Sequence, residues 1–165
     1  FPQHHEGHGG YTIDSGSGHS GISGKITDTV LASDHPAIVL LMIGTNDING
    51  NIDIGNAPTR LGALMDDITA RAPNALLVVS SIIPTRNDGT NQRVQAYNAA
   101  LRDLVDKRAQ GDRHVVFVDN YAAFSSNKNY KTELMGDNLH PNDAGYGVLG
   151  ASFYERISEL LPIAQ

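Results

Sequence analysis

Apolar residues along the chain fall into two patterns, continuous runs and stretches of helical spacing. Continuous apolar runs are typical of strands buried on both faces, and they cover residues 37–44, 74–84 and 114–120. Helical spacing of apolar residues predicts amphipathic helices over residues 57–73, 91–111 and 142–162. Residues 25–33 predict a short helix, whereas residues 1–24, rich in Gly, His and Ser, predict a loop.

The order of these elements predicts the fold class. Short, wholly apolar strands that alternate with helices indicate an α/β fold with three layers, α/β/α, around a parallel sheet. Pro73 is expected to end the helix that begins at residue 57, and Asn142 or Asp143 to cap the last helix. Since the 165 residues contain no internal repeat, residues 1–165 are predicted to form a single domain.

Composition removes several classes of function. The formal charge of −6 argues against nucleic acid or an anionic membrane as a partner, because both are bound through basic patches. The absence of Cys excludes disulfides, thiolate metal sites and a Cys nucleophile. No apolar run approaches the ~18 residues that a membrane-spanning helix needs. Function is therefore sought beyond the carboxyl ends of the strands, where open α/β sheets bind their ligands.

The first candidate stretch is G-T-N-D at residues 44–47, directly after the first apolar run. Gly44 allows the backbone to turn sharply where the strand ends. Asn46 then presents a carboxamide whose N–H groups could stabilise an oxyanion during acyl transfer. The alternative is that Asn46 and Asp47 only cap the turn.

The second candidate stretch is D-N-L-H-P at residues 137–141. A His can take a proton from an attacking hydroxyl group and return it to the leaving group. A carboxylate that is bonded to the other ring nitrogen orients the imidazole and stabilises its charged form. Asp137 and His140 are spaced for such a pair, and Pro141 stiffens the exit from the turn. The alternative is a solvated loop before a capped helix.

Together, the two stretches resemble the Asn and His blocks of the SGNH, or GDSL-like, hydrolase superfamily. H-E-G-H-G-G-Y-T-I-D, at residues 5–14, is similar to the Gly block of its carbohydrate (acetyl) esterase branch. The resemblance covers nearly the whole chain and implies a flavodoxin-like parallel sheet and ester hydrolysis without a cofactor. It implies that His140 is the base, that Asp137 orients it, and that the oxyanion is bound by Gly10 and Asn46.

The resemblance also implies a substrate pocket and a location outside the cell. The residues expected to line that pocket are His8, Thr45 and Asp47. The substrate is expected to be a small-molecule or carbohydrate ester with a short acyl group, acetyl above all. Secretion is an expectation from the esterase branch.

The superfamily's Ser block, G-D-S, does not occur in this sequence. The resemblance therefore implies that the nucleophilic Ser lies on an N-terminal segment outside this chain, with the family's first strand and a helix. Ser20 lies in a stretch that only faintly resembles a G-x-S-x-G nucleophile elbow, and it lacks the flanking strand and helix. Ser80 and Ser81 lie inside an apolar run and are expected to be buried. Because a sheet without that strand exposes unpaired edges, the chain alone is expected to be unstable or to associate.

Metal binding is the weaker interpretation of the remaining polar clusters, and no metal is predicted. Several imidazoles near the N-terminus are spaced closely enough to be considered as zinc ligands. The candidate ligands are His4, His5, His8, His19 and Glu6. Carboxylates could likewise contribute to a calcium site, and these are Asp47, Asp66 and Asp67. The glycines around the imidazoles disfavour a helix there, and acidic residues on a solvated turn and helix explain the carboxylates.

Two hypotheses of different classes remain. The first is a serine ester hydrolase whose nucleophile comes from the absent segment. The second is a catalytically inactive SGNH-like fold that binds a glycan or another polar ligand in the same cleft. Labelling by a fluorophosphonate and hydrolysis of an acetyl ester separate the two.

Overall fold

Parallel strands and helices alternate in the computed structural model, which describes residues 4–16, 18–26, 28–111 and 114–161. The strands are β1 (Ile38–Leu41), β2 (Leu76–Ser80) and β3 (Val115–Val118). The helices are α1 (Asp28–Asp34), α2 (Thr45–Asn49), α3 (Ala57–Arg71), α4 (Asp88–Ala109), α5 (Asn120–Ser125), α6 (Tyr130–Glu133) and α7 (Asp143–Ser158). Where a loop was expected over residues 1–24, a 3₁₀ turn forms at the end of that stretch, at Ile22–Gly24. The predicted helix over residues 25–33 includes position 27, and the one over residues 142–162 ends at position 162. Both positions lie outside the described residues.

The sheet has the order β1-β2-β3, and both of its pairings are parallel. Ile38 is in register with Leu76, and Leu77 with Val115. The predicted α/β class and parallel sheet are therefore confirmed. Each strand is shorter than the apolar run that predicted it, because apolar residues continue into loops that are buried beyond the strand ends, as at Ile82 and Ile83.

Helix boundaries follow local capping. The side chain of Asn142 accepts a hydrogen bond from the N–H of Gly145 at 3.0 Å, so Asn142 rather than Asp143 caps α7. Helix α4 begins three residues before its predicted start, because Asn87 accepts a bond from the N–H of Thr90. Helices α2, α5 and α6 were not predicted, since each is too short to show a helical period in the sequence.

The main core lies between one face of the sheet and helices α3 and α4. Side chains that are almost wholly buried there include Leu61, Met65, Leu77, Val79 and Leu101. A second, smaller cluster consists of Ile83, Phe124, Leu134, Met135 and Leu149. This cluster joins the loop after β2 to the segment that precedes Asp137, and so supports one half of the candidate site.

The outer edge of β1 departs from the prediction of a strand buried on both faces. Leu40 is 51% exposed and Met42 is 38% exposed. Within the part of the chain that the structure describes, no strand pairs with this edge of β1. The apolar run was correctly identified as a strand, but the side chains on one of its faces have no covering element among the described residues.

No helix in the described part of the chain combines the length and the apolar character needed to cross a bilayer.

Gly145 brings α7 close to the segment that carries Asp137 and His140. A Cβ at this position would collide with the carbonyl oxygen of Leu134 and would lie 2.8 Å from the Phe124 ring. We expect Gly145→Ala to lower the free energy of unfolding by about 1–3 kcal/mol, the usual cost of overpacking. Urea denaturation measures this change. Gly147→Ala on the same helix is the matched control, because a Cβ there meets no atom within 4 Å and should leave stability unchanged or raise it.

Candidate active site

The turn after β1 has the sharp geometry expected of Gly44. Gly44 has φ +112°, a left-handed conformation that favours glycine, and it stands immediately before α2. The hydroxyl of Tyr97 donates to the carbonyl of Ile43 at 3.0 Å. A Cβ on Gly44 would lie 2.5 Å from that hydroxyl oxygen. The position therefore needs glycine both for its backbone angle and for its close contact with Tyr97.

Asn46 and Gly10 together present two unpaired N–H donors. Asn46 Nδ2 donates one hydrogen bond, at 2.7 Å, to the carbonyl of Tyr11, which leaves its second N–H free among the described residues. Gly10 has φ +79°, and its own N–H has no partner in the described part of the chain. The hydrogen bond to Tyr11 thus ties the two sequence blocks together and places both donors in one region.

Asp47 is in a buried ion pair that the sequence analysis did not predict. Its carboxylate is 0% exposed and lies 2.7 Å from Arg60 Nη1. It also accepts the N–H of Ile13 at 3.1 Å, while the same Arg60 nitrogen lies 2.6 Å from Asp14. The expectation that Asp47 lines the substrate pocket is therefore corrected, since its oxygens face Arg60 and the backbone. The only signal of this ion pair in the sequence was Arg60 on the apolar side of the predicted helix over residues 57–73.

The other two pocket candidates lie at the same end of the molecule. Thr45 is the first residue of α2 and is partly exposed. His8 Nε2 lies 2.8 Å from a carboxylate oxygen of Glu6, and its ring stacks on Tyr11 with centroids 4.7 Å apart. Since the carbonyl of Tyr11 accepts from Asn46, this stacked pair adjoins the free donors.

Asp137 and His140 form the pair that their spacing predicted. His140 Nδ1 lies 2.9 Å from Asp137 Oδ2, and Asp137 Oδ1 accepts the N–H groups of His140 and Leu139, each at 2.7 Å. These backbone hydrogen bonds, with the contact from the imidazole, hold the pKa of the Asp137 carboxyl well below its usual range. The carboxylate is therefore ionised at every pH at which a neutral imidazole could act as a base.

The second ring nitrogen of His140 is available for a hydrogen bond. Its side chain is 68% exposed, and Nε2 has no hydrogen-bond partner in the part of the chain that the structure describes. The turn that holds it is closed by the N–H of Gly136, which donates to the carbonyl of His140 at 2.8 Å. A bridge between Met135 and Pro141 completes the turn.

Both halves of the site lie beyond the carboxyl ends of neighbouring strands. Gly44 and Asn46 follow β1. The N–H of Arg86, in the loop that follows β2, donates to the carbonyl of Asn138 at 3.1 Å and so brings the Asp137–His140 turn to this edge. A base with an ionised partner and a pair of free N–H donors can assist acyl transfer when a nucleophile is added.

None of the serines considered in the sequence is placed as a nucleophile. Ser20 is exposed, and its carbonyl accepts from the N–H of Thr12 in an irregular loop that no strand precedes among the described residues. Ser80 and Ser81 are buried as expected. The Ser80 hydroxyl donates to the carbonyl of Ser81 at 2.7 Å and accepts from Asn120, while Ser81 donates to Asp119.

The carboxylates and imidazoles considered for metal binding are dispersed. Asp66 contacts Arg108 at 2.8 Å and Asp67 contacts Arg71 at 2.8 Å, both from the exposed side of α3. Among the described residues, no group of three or more His, Asp or Glu side chains is placed to hold a metal ion.

Comparison with known proteins identifies the family and supports the fold. The sequence profile of the GDSL-like lipase/acylhydrolase family matches residues 2–148. A multidomain esterase of Ruminococcus flavefaciens is 29% identical over 171 residues, which cover 98% of this chain and 21% of the esterase. The family 3 carbohydrate esterase of Clostridium thermocellum is 29% identical, with a TM-score of 0.73 over 92% of this chain and 67% of that structure. An acetyl esterase variant solved with acetate has a TM-score of 0.75 at 23% identity, over 94% of this chain and 70% of that one. At this identity the similarity concerns the fold alone.

The coverage of these relatives is unequal. This chain spans 21% and 54% of the lengths of two curated relatives, so each comparison concerns one part of a longer protein. The family profile, in contrast, matches residues 2–148, most of this chain, and that range spans residues 5–14, 44–47 and 137–141. The chain belongs to the GDSL-like lipase/acylhydrolase family.

Proposed function

We propose that this protein hydrolyses esters of short acyl groups, chiefly acetyl, including those carried by carbohydrates. The observation that carries the proposal is the Asp137–His140 pair, with His140 Nε2 exposed and unpartnered among the described residues. Free N–H groups of Gly10 and Asn46 at the same sheet edge supply the other requirement of acyl transfer. The 29% identity to a carbohydrate esterase and to a multidomain esterase supports the choice of ester.

The proposed reaction uses a serine as nucleophile. The serine oxygen attacks the ester carbonyl and its proton passes to His140 Nε2, while Asp137 stabilises the imidazolium. Gly10 and Asn46 donate to the oxyanion of the tetrahedral intermediate. Collapse breaks the bond to the alcohol, which leaves with the proton from His140. Water then attacks the acyl-enzyme by the same steps and releases the acid.

We propose that the serine lies on a segment outside this chain. Two observations support this. The outer edge of β1 has no paired strand among the described residues, and an unpaired strand edge is normally covered. The apolar side chains of Leu40, in β1, and Met42, just after it, are exposed. A strand paired with this edge would end beside Gly44 and Asn46, next to the free donors. A location outside the cell, as in the esterase branch that the Gly block resembles, belongs to the same proposal.

The decisive experiment combines turnover with active-site labelling. The purified protein is expected to hydrolyse 4-nitrophenyl acetate faster than the octanoate ester, and to gain the mass of one fluorophosphonate adduct on a serine. Peptide mapping locates that serine, which should lie outside residues 1–165 of this sequence. Intact mass shows which polypeptides are present. Absence of both turnover and label, with a G-D-S segment present, would reject the proposal in favour of a binding protein that has lost catalysis.

A further inference from the structure

We infer that Arg86 is a positioning residue that holds the catalytic pair Asp137–His140 in place. This inference deepens the proposed function and rests on it for its catalytic meaning. Arg86 lies in the loop after β2 and is partly buried. It is not part of any motif that the sequence analysis identified, and neither of the catalytic side chains contacts it directly.

Arg86 binds the catalytic segment through both its main chain and its side chain. Its N–H donates to the carbonyl of Asn138, between the two catalytic residues, at 3.1 Å. Its Nη2 donates at 2.8 Å to the carbonyl of Met135, the residue at which the Met135–Pro141 bridge begins. Its Nε donates at 2.6 Å to the carbonyl of Lys131 in α6. One residue thus fixes the segment at its start, near its middle, and through the helix before it.

The backbone next to Arg86 is itself held in place by hydrogen bonds. Asn91 Oδ1 accepts from the N–H of Thr85 at 2.7 Å and from its hydroxyl at 3.0 Å, and Asn91 Nδ2 donates to the carbonyl of Thr85. The hydroxyl of Tyr130, in α6, also donates to the carbonyl of Thr85 at 3.0 Å. Thr85 and Asn91 are both buried. The residue before Arg86 is therefore locked to α4 and α6 on both sides.

The chemistry of arginine explains why this residue type suits the position. Its planar guanidinium presents several N–H donors in a fixed geometry, so that Nε and Nη2 reach separate carbonyls with little loss of side-chain entropy. Lysine has a single nitrogen on a flexible chain and cannot reproduce this planar arrangement. Without the guanidinium, the carbonyls of Lys131 and Met135 lose this donor, and the segment keeps the hydrogen bonds from the Arg86 main chain and from Asn142 and the packing of Leu134 and Met135.

The test is a set of variants of the purified protein. Arg86→Gln is expected to lower kcat for 4-nitrophenyl acetate about 10–100-fold, with KM changed less than about threefold, because misplacing a catalytic base by about 1 Å has that effect. Arg86→Lys should recover part of this loss. Arg86→Ala should respond to added millimolar guanidinium with a rise in kcat, because the free cation can occupy the vacated position.

Arg108→Gln is the matched control. Arg108 is similarly shielded, at 15% side-chain exposure, and it donates to the carbonyl of Gly62 at 3.0 Å while joining α4 to α3. Replacing Arg108 by glutamine removes a comparable hydrogen bond to the main chain, and the hydrogen bonds of the Arg108 side chain go to Gly62, Leu104 and Asp66, outside the candidate site. It should lower stability without changing kcat or its response to guanidinium.

A spectroscopic measurement separates failure of this inference from failure of the proposed function. The ¹⁵N shifts of the His140 ring and the resonance of its Nδ1 proton report the contact with Asp137 whether or not any ester is hydrolysed. Arg86→Gln should broaden or shift these signals, and Arg108→Gln should not. If both variants leave them unchanged, the inference is wrong even where the enzyme is active. If the signals change but no variant or parent protein turns over, Arg86 positions the pair and the proposed function fails.

Discussion

Replacing His140 with alanine should lower kcat for acetyl ester hydrolysis by at least about 10⁴-fold, the scale found when members of a catalytic triad are removed. The base is lost, and the serine can then no longer transfer its proton during attack. Because the His140 side chain is 68% exposed and its main-chain bonds remain, the fold should be retained. Initial rates with 4-nitrophenyl acetate and circular dichroism of the same samples measure the two effects.

The companion variant Asp137→Asn tests the origin of the effect. The amide cannot stabilise the imidazolium or fix the same tautomer, so a loss of about 10⁴-fold in kcat is expected here too. Since backbone hydrogen bonds from His140 and Leu139 hold the pKa of Asp137 well below its usual range, its carboxylate stays ionised above about pH 4. The loss should therefore persist throughout the range from about pH 5 to 9, because Asp137 in the parent protein keeps its charge over that whole range.

The same low pKa has a consequence for stability. The folded state holds the Asp137 proton less tightly than the unfolded state does, so this group stabilises the fold above the ordinary Asp pKa and the contribution disappears as the pH falls through the lowered value.

The control for the catalytic pair is His114→Ala. His114 is an exposed histidine that immediately precedes β3, at the opposite end of the strands from the site. Its loss should leave kcat within about twofold of the parent value. Substantial activity in His140→Ala, or an equal loss in His114→Ala, would contradict the assignment of His140 as base.

Replacing Asp47 with alanine should lower the free energy of unfolding by about 3 kcal/mol. The substitution leaves Arg60, whose side chain is 14% exposed, without its buried partner and deprives the N–H of Ile13 of its acceptor. The remaining contact between Arg60 and Asp14 moderates the loss. Asp47→Asn keeps an acceptor oxygen but not the charge, and should fall between alanine and the parent. Urea denaturation followed by circular dichroism gives these free energies.

Two controls isolate the buried ion pair. Asp106→Asn removes an exposed pair with Arg102, in which both side chains are more than half exposed, and should change stability by less than about 1 kcal/mol. The double variant Asp47→Leu with Arg60→Met replaces the buried pair by apolar groups and should recover much of the loss. If Asp47→Ala were no more harmful than Asp106→Asn, the ion pair would not be what holds the Gly block to the turn after β1.

This buried ion pair also bears on function, because it adjoins one half of the site. Asp47 follows Asn46 directly, and its partner residue Ile13 lies near Gly10 and Tyr11 along the chain. Loss of Asp47 should therefore weaken the hydrogen bond from Asn46 to Tyr11 and disturb the free donors. We expect the folded fraction of Asp47→Asn to show a lower kcat, whereas Asp106→Asn should match the parent.

The parts of the fold that were predicted from the sequence depend on local patterns. The apolar run 37–44 and the helical spacing over 57–73 correctly indicated β1 and α3. Asn142 could be recognised as a helix cap because capping involves a residue and the N–H groups just after it. The short helices α2, α5 and α6 were missed, since a helix of a few residues has no detectable period.

The Asp137–His140 pair was predictable for the same reason. The two residues are three positions apart, and a single turn lets the carboxylate accept both the main-chain N–H and a ring nitrogen of His140. The sequence alone therefore determined the parallel α/β class, the contact between Asp137 and His140, and the glycine at the turn before Asn46.

Only the tertiary structure decided which distant residues support that chemistry. Asp47 had three sequence interpretations, as a pocket residue, a turn cap or a calcium ligand, until the fold placed Arg60 beside it with Ile13 on the other side. Arg86 acts on carbonyls 45 and 49 positions further along the chain. Such contacts depend on how whole elements pack, and the bonded main-chain carbonyls are identical at every residue. The sequence pattern therefore identifies the groups that we propose to react, while packing between elements determines what holds them in position.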